Sequence, residues 1–213
     1  MSKYHKLIDK TFHNESTMKL TLEKKSISYS PGQIFSIGIK DEIVNREYSS
    51  YNSPNDDHLE FLIKLITDGV FSKILKKIDM SSQFLIHGPF GQFNYNKTKS
   101  KPLFICSGTG IAPFRSFIKS YNISNYKIIH GIREENEMYD RLEYNSDSYI
   151  PCISRDNRTK HFKGRVTDFL KNYDLSNFDS FYMCGNSAMI SDTYNLLKSK
   201  NIKSSDILTE SFF

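Results

Sequence analysis

The chain has 213 residues, 38% hydrophobic and 25% charged, with a net charge of +5 from 29 Lys and Arg against 24 Asp and Glu. That length suits one large domain or two small ones, and so mild a charge fits an acidic protein partner but gives no reason to expect nucleic acid. No apolar run approaches the ~20 residues that cross a bilayer, residues 1–6 lack the apolar core of a secretory signal, and the three scattered cysteines form no metal pattern, so a reducing cytoplasm and no metal are expected.

The first half reads as β-rich. Candidate strands are 4–11, 18–22, 33–39, 46–50, 59–65 and 83–87, with a helix-like insert at 70–77. Turn signals at Ser30-Pro31-Gly32, at Asn52-Ser53-Pro54-Asn55-Asp56-Asp57 and at Gly88-Pro89 separate them. Six short strands with one helix suggest a small antiparallel barrel over residues 1–96. Within it, Arg46-Glu47-Tyr48-Ser49 combines a guanidinium fork suited to phosphate, an aromatic plate and a hydroxyl. Alternation in a strand puts Arg46 and Tyr48 on one face and Glu47 and Ser49 on the other. By itself this is what the solvated face of any antiparallel strand looks like. Gly69-Val70-Phe71-Ser72 opens the helix-like insert, where a hydroxyl three residues after the glycine can cap the helix or cradle a pyrophosphate.

Residues 94–101 are polar and basic and read as a linker. From 101 to 213 strand-like runs at 103–106, 127–130, 149–154, 180–184 and 207–213 alternate with helical patterns at 111–120, 136–143, 166–171 and 188–200. That rhythm implies an α/β domain with a parallel sheet covered on both faces. After the first strand, Gly108-Thr109-Gly110-Ile111-Ala112-Pro113 opens a helix. Its glycines let the backbone approach a ligand, and the helix start presents N–H groups to an anion. Two phosphate-capable turns, one per half, suggest two nucleotides.

In this order, Arg46-x-Tyr48-Ser49, Gly69-x-x-Ser72, Gly88-Pro89-Phe90-Gly91, Gly108-Thr109-Gly110-Ile111-Ala112-Pro113 and Cys184-Gly185-Asn186 with a C-terminal aromatic resemble the ferredoxin–NADP reductase family across nearly the whole chain. Arg46 to Pro54, and Ser154-Arg155-Asp156 followed by Gly164-Arg165-Val166, resemble the bacterial ferredoxin/flavodoxin–NADP reductases in particular. The resemblance implies FAD in the barrel and NADP(H) in the second half. It assigns the FAD pyrophosphate to Arg46, the isoalloxazine face to Tyr48 and the neighbourhood of flavin N5 to Ser49, with Glu47 in the same motif. It adds Leu62, Ile63, Lys64, Val70, Phe71 and Ser72 as further FAD contacts. Thr109, beside Gly110, matches a position bridging the two cofactors. Ile132, Arg133, Ser154, Arg155 and Arg165 match the dinucleotide side, and Cys184-Gly185-Asn186 the nicotinamide. Arg155 and Arg165, with Arg158, Lys160 and Lys163 between them, favour NADPH over NADH, Asp156 being the one feature that points to NADH. Ser49, Cys184 and Glu210 are the implied catalytic positions, with Ser49 and Cys184 setting geometry and Glu210 handling a proton. Phe212 and Phe213 are candidates to stack on flavin or adenine.

The chain departs from the pattern at Ser187, where relatives commonly have Pro, and at its terminal Phe where many have Tyr or Trp. The implied activity is electron transfer between NADPH and a ferredoxin or flavodoxin through FAD, by hydride transfer at N5 and then single electrons. Lys64, Lys73, Lys76 and Lys77 would steer the acidic carrier, and a monomer is expected. The alternatives are a reductase component feeding an oxygenase and a non-catalytic nucleotide-binding homologue.

Overall fold

The computed structural model describes residues 4–212 and divides into two compact units. The first runs to Tyr95 and takes in Ala112–Asn122; the second holds Asn96–Ile111 and everything from Ile123 on. Residues 112–122 therefore group with the first unit, although they lie in the span read from sequence as the second domain.

The first unit is built from β1 (His5–Asn14), β2 (Thr17–Glu23), β3 (Ile34–Ile39), β4 (Asn45–Ser49), β5 (His58–Lys64), α1 (Val70–Lys77) and β6 (Gln83–Phe90). The strands are antiparallel in the order β4-β3-β6-β1-β2-β5. Two three-stranded halves meet where His5 and Lys6 pair with Phe84 and Gln83. A backbone bond from Tyr51 N–H to the Glu60 carbonyl, 2.9 Å, draws the two edge strands together. The inward residues of the alternating strands make the core: Met18, Leu20, Phe35, Ile37, Phe61, Ile63 and Phe84 are fully buried. The turn expected at Gly88-Pro89 is instead a bulge inside a longer β6: Ser36 pairs with His87 and Ile34 with Phe90, so the one extra residue is absorbed without ending the strand.

The second unit contains β7 (Pro102–Ser107), β8 (Lys127–Ile132), β9 (Tyr149–Ile153), β10 (Phe162–Lys163), β11 (Ser180–Asn186) and β12 (Ile207–Phe212); α2 (Ala112–Tyr121) falls in the first unit, α3 (Val166–Lys171) and α4 (Ser187–Ser199) in the second. Every pairing in this sheet is parallel, in the order β10-β9-β8-β7-β11-β12. Buried on both faces, its strands read as continuous apolar runs; Leu103, Phe104, Ile105 and Cys106 are all inaccessible to solvent. The sequence missed the two-residue β10.

The helix expected at 136–143 is two single turns of 3-10 helix, Glu135–Glu137 and Arg141–Glu143. Asp140 between them sits at φ 45°, and the Glu137 carboxylate turns back to accept the Arg133 N–H at 2.7 Å. Four acidic residues within 134–140 also repel along any continuous helix. Among the described residues no helix is long and apolar enough to cross a membrane.

Candidate functional site

In the first unit, β4 is an edge strand and carries Arg46 opposite Ile37, Tyr48 opposite Phe35 and Ser49 opposite Ile34. Arg46 and Glu47 are exposed, Tyr48 is half-buried and Ser49 buried. Arg46 Nη1 donates to the Asn45 carbonyl at 2.7 Å. The Tyr48 ring packs at the margin of the barrel core, nearly parallel to Phe71 with centroids 6.3 Å apart. Burial raises its phenol pKa, with Arg46 pulling the other way, so it stays neutral.

β5 forms the other edge of the sheet. Leu62 and Ile63 are buried there, so they can meet a ligand chiefly through main chain on the outer side. Lys64 Nζ donates to Ser16 Oγ at 2.8 Å. At the start of α1, Val70 is exposed, and Phe71 and Ser72 are buried. Ser72 does not cap the helix from its side chain. Its hydroxyl accepts the Ile66 N–H at 2.9 Å and closes the 66–72 loop, keeping its own proton to donate.

A network that sequence reading overlooked holds the segment after β4. Asn52, 1% exposed, donates to the His58 carbonyl at 2.8 Å and accepts the Glu60 N–H at 2.9 Å and the Tyr29 hydroxyl at 3.2 Å. Ser116 Oγ of α2 donates to the Asn52 carbonyl at 2.7 Å, and Arg115 Nη1 to the Tyr51 carbonyl at 2.9 Å. The turn residues 52–57 gave the only sequence signal of this loop, and its partners on α2 lie more than fifty positions away.

In the second unit the chain works outward from β7 in opposite directions, through β8 and β9 to β10 and separately through β11 to β12. Open parallel sheets bind ligands at such a reversal, beyond the strands' carboxyl ends. Gly108-Thr109-Gly110 leaves the end of β7 there and Cys184-Gly185-Asn186 the end of β11. The two turns touch backbone to backbone. A Cβ on Gly110 would lie 2.3 Å from the Cys184 carbonyl oxygen, and one on Gly185, at φ +134°, 2.5 Å from Ser107 Oγ. Asn186 N–H donates to Ser107 Oγ at 3.0 Å, while Asn186 Oδ1 caps α4 by accepting the Ala188 and Met189 N–H groups. By contrast a Cβ on Gly108, at φ +53°, would meet nothing within 4 Å, so the turn has open space beside it for a ligand. Thr109 is half-buried.

The neighbouring strand ends bring the basic residues into one row. Ile132, at the end of β8, is buried, and its carbonyl accepts the Ser154 N–H at 3.0 Å and Oγ–H at 3.1 Å. The Arg133 carbonyl accepts the Arg155 N–H at 2.9 Å. Arg165 follows β10, which is tied to β9 by Gly164 N–H on the Ile153 carbonyl at 2.9 Å. Arg133, Arg155 and Arg165 are exposed and stand at the carboxyl ends of adjacent strands β8, β9 and β10. Asp156 Oδ1 accepts the Arg158 N–H at 2.8 Å and closes a local turn.

Cys184 is fully buried, opposite Cys106 on β7 and Glu210 on β12. Burial, then Glu210 and Cys106, push its thiol pKa well up, so it is a neutral thiol and no nucleophile. Glu210 and Phe212 are half-buried, and Phe212 pairs with Asn186; Phe213 lies outside the described residues.

Two family models match the chain: the oxidoreductase FAD-binding domain over residues 5–95 and the oxidoreductase NAD-binding domain over 104–195. The chain is 31% identical to the flavodoxin/ferredoxin–NADP reductase of Buchnera aphidicola subsp. Schizaphis graminum, over 84% of this chain and 77% of that one. It is 23% identical to the 2-halobenzoate 1,2-dioxygenase electron transfer component of Burkholderia cepacia, over 93% of its own residues, and spans 64% of that protein's length. Its fold matches a ferredoxin NADP+ reductase from Neisseria gonorrhoeae, solved with bound FAD and NADP, at a TM-score of 0.87 and 22% identity over the whole of both chains. The chain belongs to the flavodoxin/ferredoxin–NADP reductase family, with an FAD-binding unit followed by an NAD(P)-binding one.

Proposed function

We propose that the protein carries electrons between NADPH and a one-electron carrier protein, a ferredoxin or a flavodoxin. Bound FAD would supply the conversion between a two-electron and a one-electron donor. The chain's own residues bind and orient. Arg46 offers its fork to the flavin's pyrophosphate, joined by the main chain of Leu62-Ile63-Lys64 and by Val70-Phe71-Ser72 at the start of α1. Glu47 and Ser49 flank Tyr48, whose partly exposed ring gives the flavin a flat face. Thr109 and Gly110 present backbone to the dinucleotide, Cys184-Gly185-Asn186 shapes the nicotinamide end, and Phe212 supplies aromatic cover. Cys184 excludes water as a neutral thiol, and Glu210 handles a proton beside it.

The observation that carries the NADPH reading is the row Arg133, Arg155 and Arg165 on three successive strand ends. A 2′-phosphate carries roughly two negative charges and favours guanidinium partners. The exposed Lys73, Lys76 and Lys77 of α1 give an acidic carrier a steering field. The test is anaerobic. The purified protein is yellow or becomes so on adding FAD, the colour bleaches with NADPH, and it returns when ferredoxin or flavodoxin is added. Absence of flavin binding would leave a nucleotide-binding homologue without turnover. A second reading, a reductase component feeding an oxygenase, is favoured by similarity to dioxygenase electron transfer components. Return of colour with an oxygenase component but with neither small carrier would select it.

A further inference from the structure

One buried polar group in the second unit has no place in the scheme above. His130, on β8, is fully buried, and both ring nitrogens are bonded at 2.7 Å. The Gly108 carbonyl can only accept, so Nε2 carries the proton and donates to it. Nδ1 must then accept from the Tyr149 hydroxyl on β9. The chain Tyr149–His130–Gly108 thus crosses three adjacent strands, β9, β8 and β7, and ends on the first residue of the phosphate turn.

The geometry of a peptide unit converts this anchor into aim. The Gly108 carbonyl and the Thr109 N–H belong to one planar trans peptide and point in opposite directions. With the carbonyl held on the buried His130 ring, the Thr109 N–H points the opposite way, away from that ring. We propose that His130 is a positioning residue for the dinucleotide: through the Gly108 carbonyl it fixes the Thr109 N–H toward the pyrophosphate of bound NADP(H). Tyr149 sets the tautomer this requires. Burial holds the ring neutral, so the Nε2 proton is the single donor on offer. The inference rests on the assignment of the Gly108 turn to the pyridine dinucleotide.

The experiment is isothermal titration of FAD-loaded protein with NADP+ and, separately, with adenosine 2′-phosphate, which lacks the pyrophosphate. His130→Phe keeps a ring but removes the donor; His130→Gln restores an amide donor near the Nε2 position. We expect His130→Phe to weaken NADP+ binding about tenfold, the value of one well-placed hydrogen bond. It should leave adenosine 2′-phosphate within about twofold, and His130→Gln should recover most of the NADP+ loss. Tyr149→Phe should fall between. Unchanged NADP+ affinity in His130→Phe, or equal loss for both ligands, would overturn the positioning role. Failure of the unmodified protein to bind NADP+ or NAD+ would instead defeat the functional reading on which it rests.

Discussion

Arg115 Nη1 lies 2.9 Å from Glu60 Oε2, with the guanidinium side chain 3% exposed and the carboxylate 12%. The same guanidinium sits over the Tyr51 ring at 4.2 Å and donates to the Tyr51 carbonyl. A buried charge so fully engaged costs little while its partners remain and a great deal once one is removed. Arg115→Ala or Glu60→Ala should lower the unfolding free energy by about 3–5 kcal/mol. Urea denaturation followed by far-UV circular dichroism measures this, and the double variant Arg115→Met/Glu60→Leu should be more stable than either single. A loss below about 1 kcal/mol would mean that the pair is not coupled in solution.

The two glycines of the phosphate turn should respond differently. A methyl at Gly110 has no room against the Cys184 carbonyl, so Gly110→Ala must push the two turns apart. NADP+ affinity should fall more than tenfold, the equivalent of about 1.4 kcal/mol. Gly108 has space but a left-handed backbone, a conformation that Asn tolerates. Gly108→Asn should therefore leave the unfolding free energy within about 1 kcal/mol of the unmodified protein, whereas Gly110→Ala lowers it by more; because the Asn side chain stands in the space beside the turn, it too should weaken NADP+ binding. Equal stability losses in urea denaturation would refute the packing argument.

Coenzyme preference offers a sharper check. Arg155→Ala should reduce kcat/KM for NADPH by about 10- to 100-fold, the usual worth of a charge-assisted contact, and that for NADH by no more than about threefold. Parallel steady-state assays with the two coenzymes decide it, because equal losses would remove Arg155 from the 2′-phosphate.

The fold should also weaken in mild acid for a definable reason. Burial lowers the His130 pKa to about 4, against the ordinary 6.5; the Gly108 carbonyl and Glu137 oppose that shift, and Tyr149 and Tyr139 pack around the ring. The unfolded chain therefore binds a proton that the folded one refuses. Stability from this group is complete above about pH 6.5 and declines as pH falls toward 4, by about 3 kcal/mol over the window. Unfolding free energies of the protein and of His130→Gln, compared between pH 7 and pH 4.5, should show a shallower decline in the variant. Parallel slopes would assign the acid sensitivity to other groups.

The parts of this molecule legible in the sequence were those written locally. Turn signals bracketed the short strands β3 and β5, an apolar run marked β7, and Gly108-Thr109-Gly110 announced a turn between strand and helix. The strand order was not legible, because the reversal at β7 depends on pairings such as Cys184 with Cys106, 78 positions apart. The 136–143 segment had helical composition, but a local bond from the Arg133 N–H to the Glu137 carboxylate, with Asp140 in a left-handed conformation, broke it into two short turns. The candidate site residues were named through motif order rather than through any single side chain. What motif order could not reveal was their support. His130 looks like one more residue in a strand, and Arg115 like one more charge on a helix, until Gly108 and Glu60 come beside them.

The placement of α2 bears on how this protein is made. Its residues are delivered after β7, yet Phe114 and Phe117 pack on Phe93 and Arg115 pairs with Glu60, all in the first unit. A ribosome that has released the first 95 residues has not yet supplied the helix that covers Phe93 and pairs with Glu60. The first unit therefore lacks these contacts until translation has passed through the first strand of the other sheet. A gene truncated at residue 96 would encode a permanently unfinished domain, whereas co-expressing residues 1–96 with a second piece beginning near 97 would return the missing helix in trans.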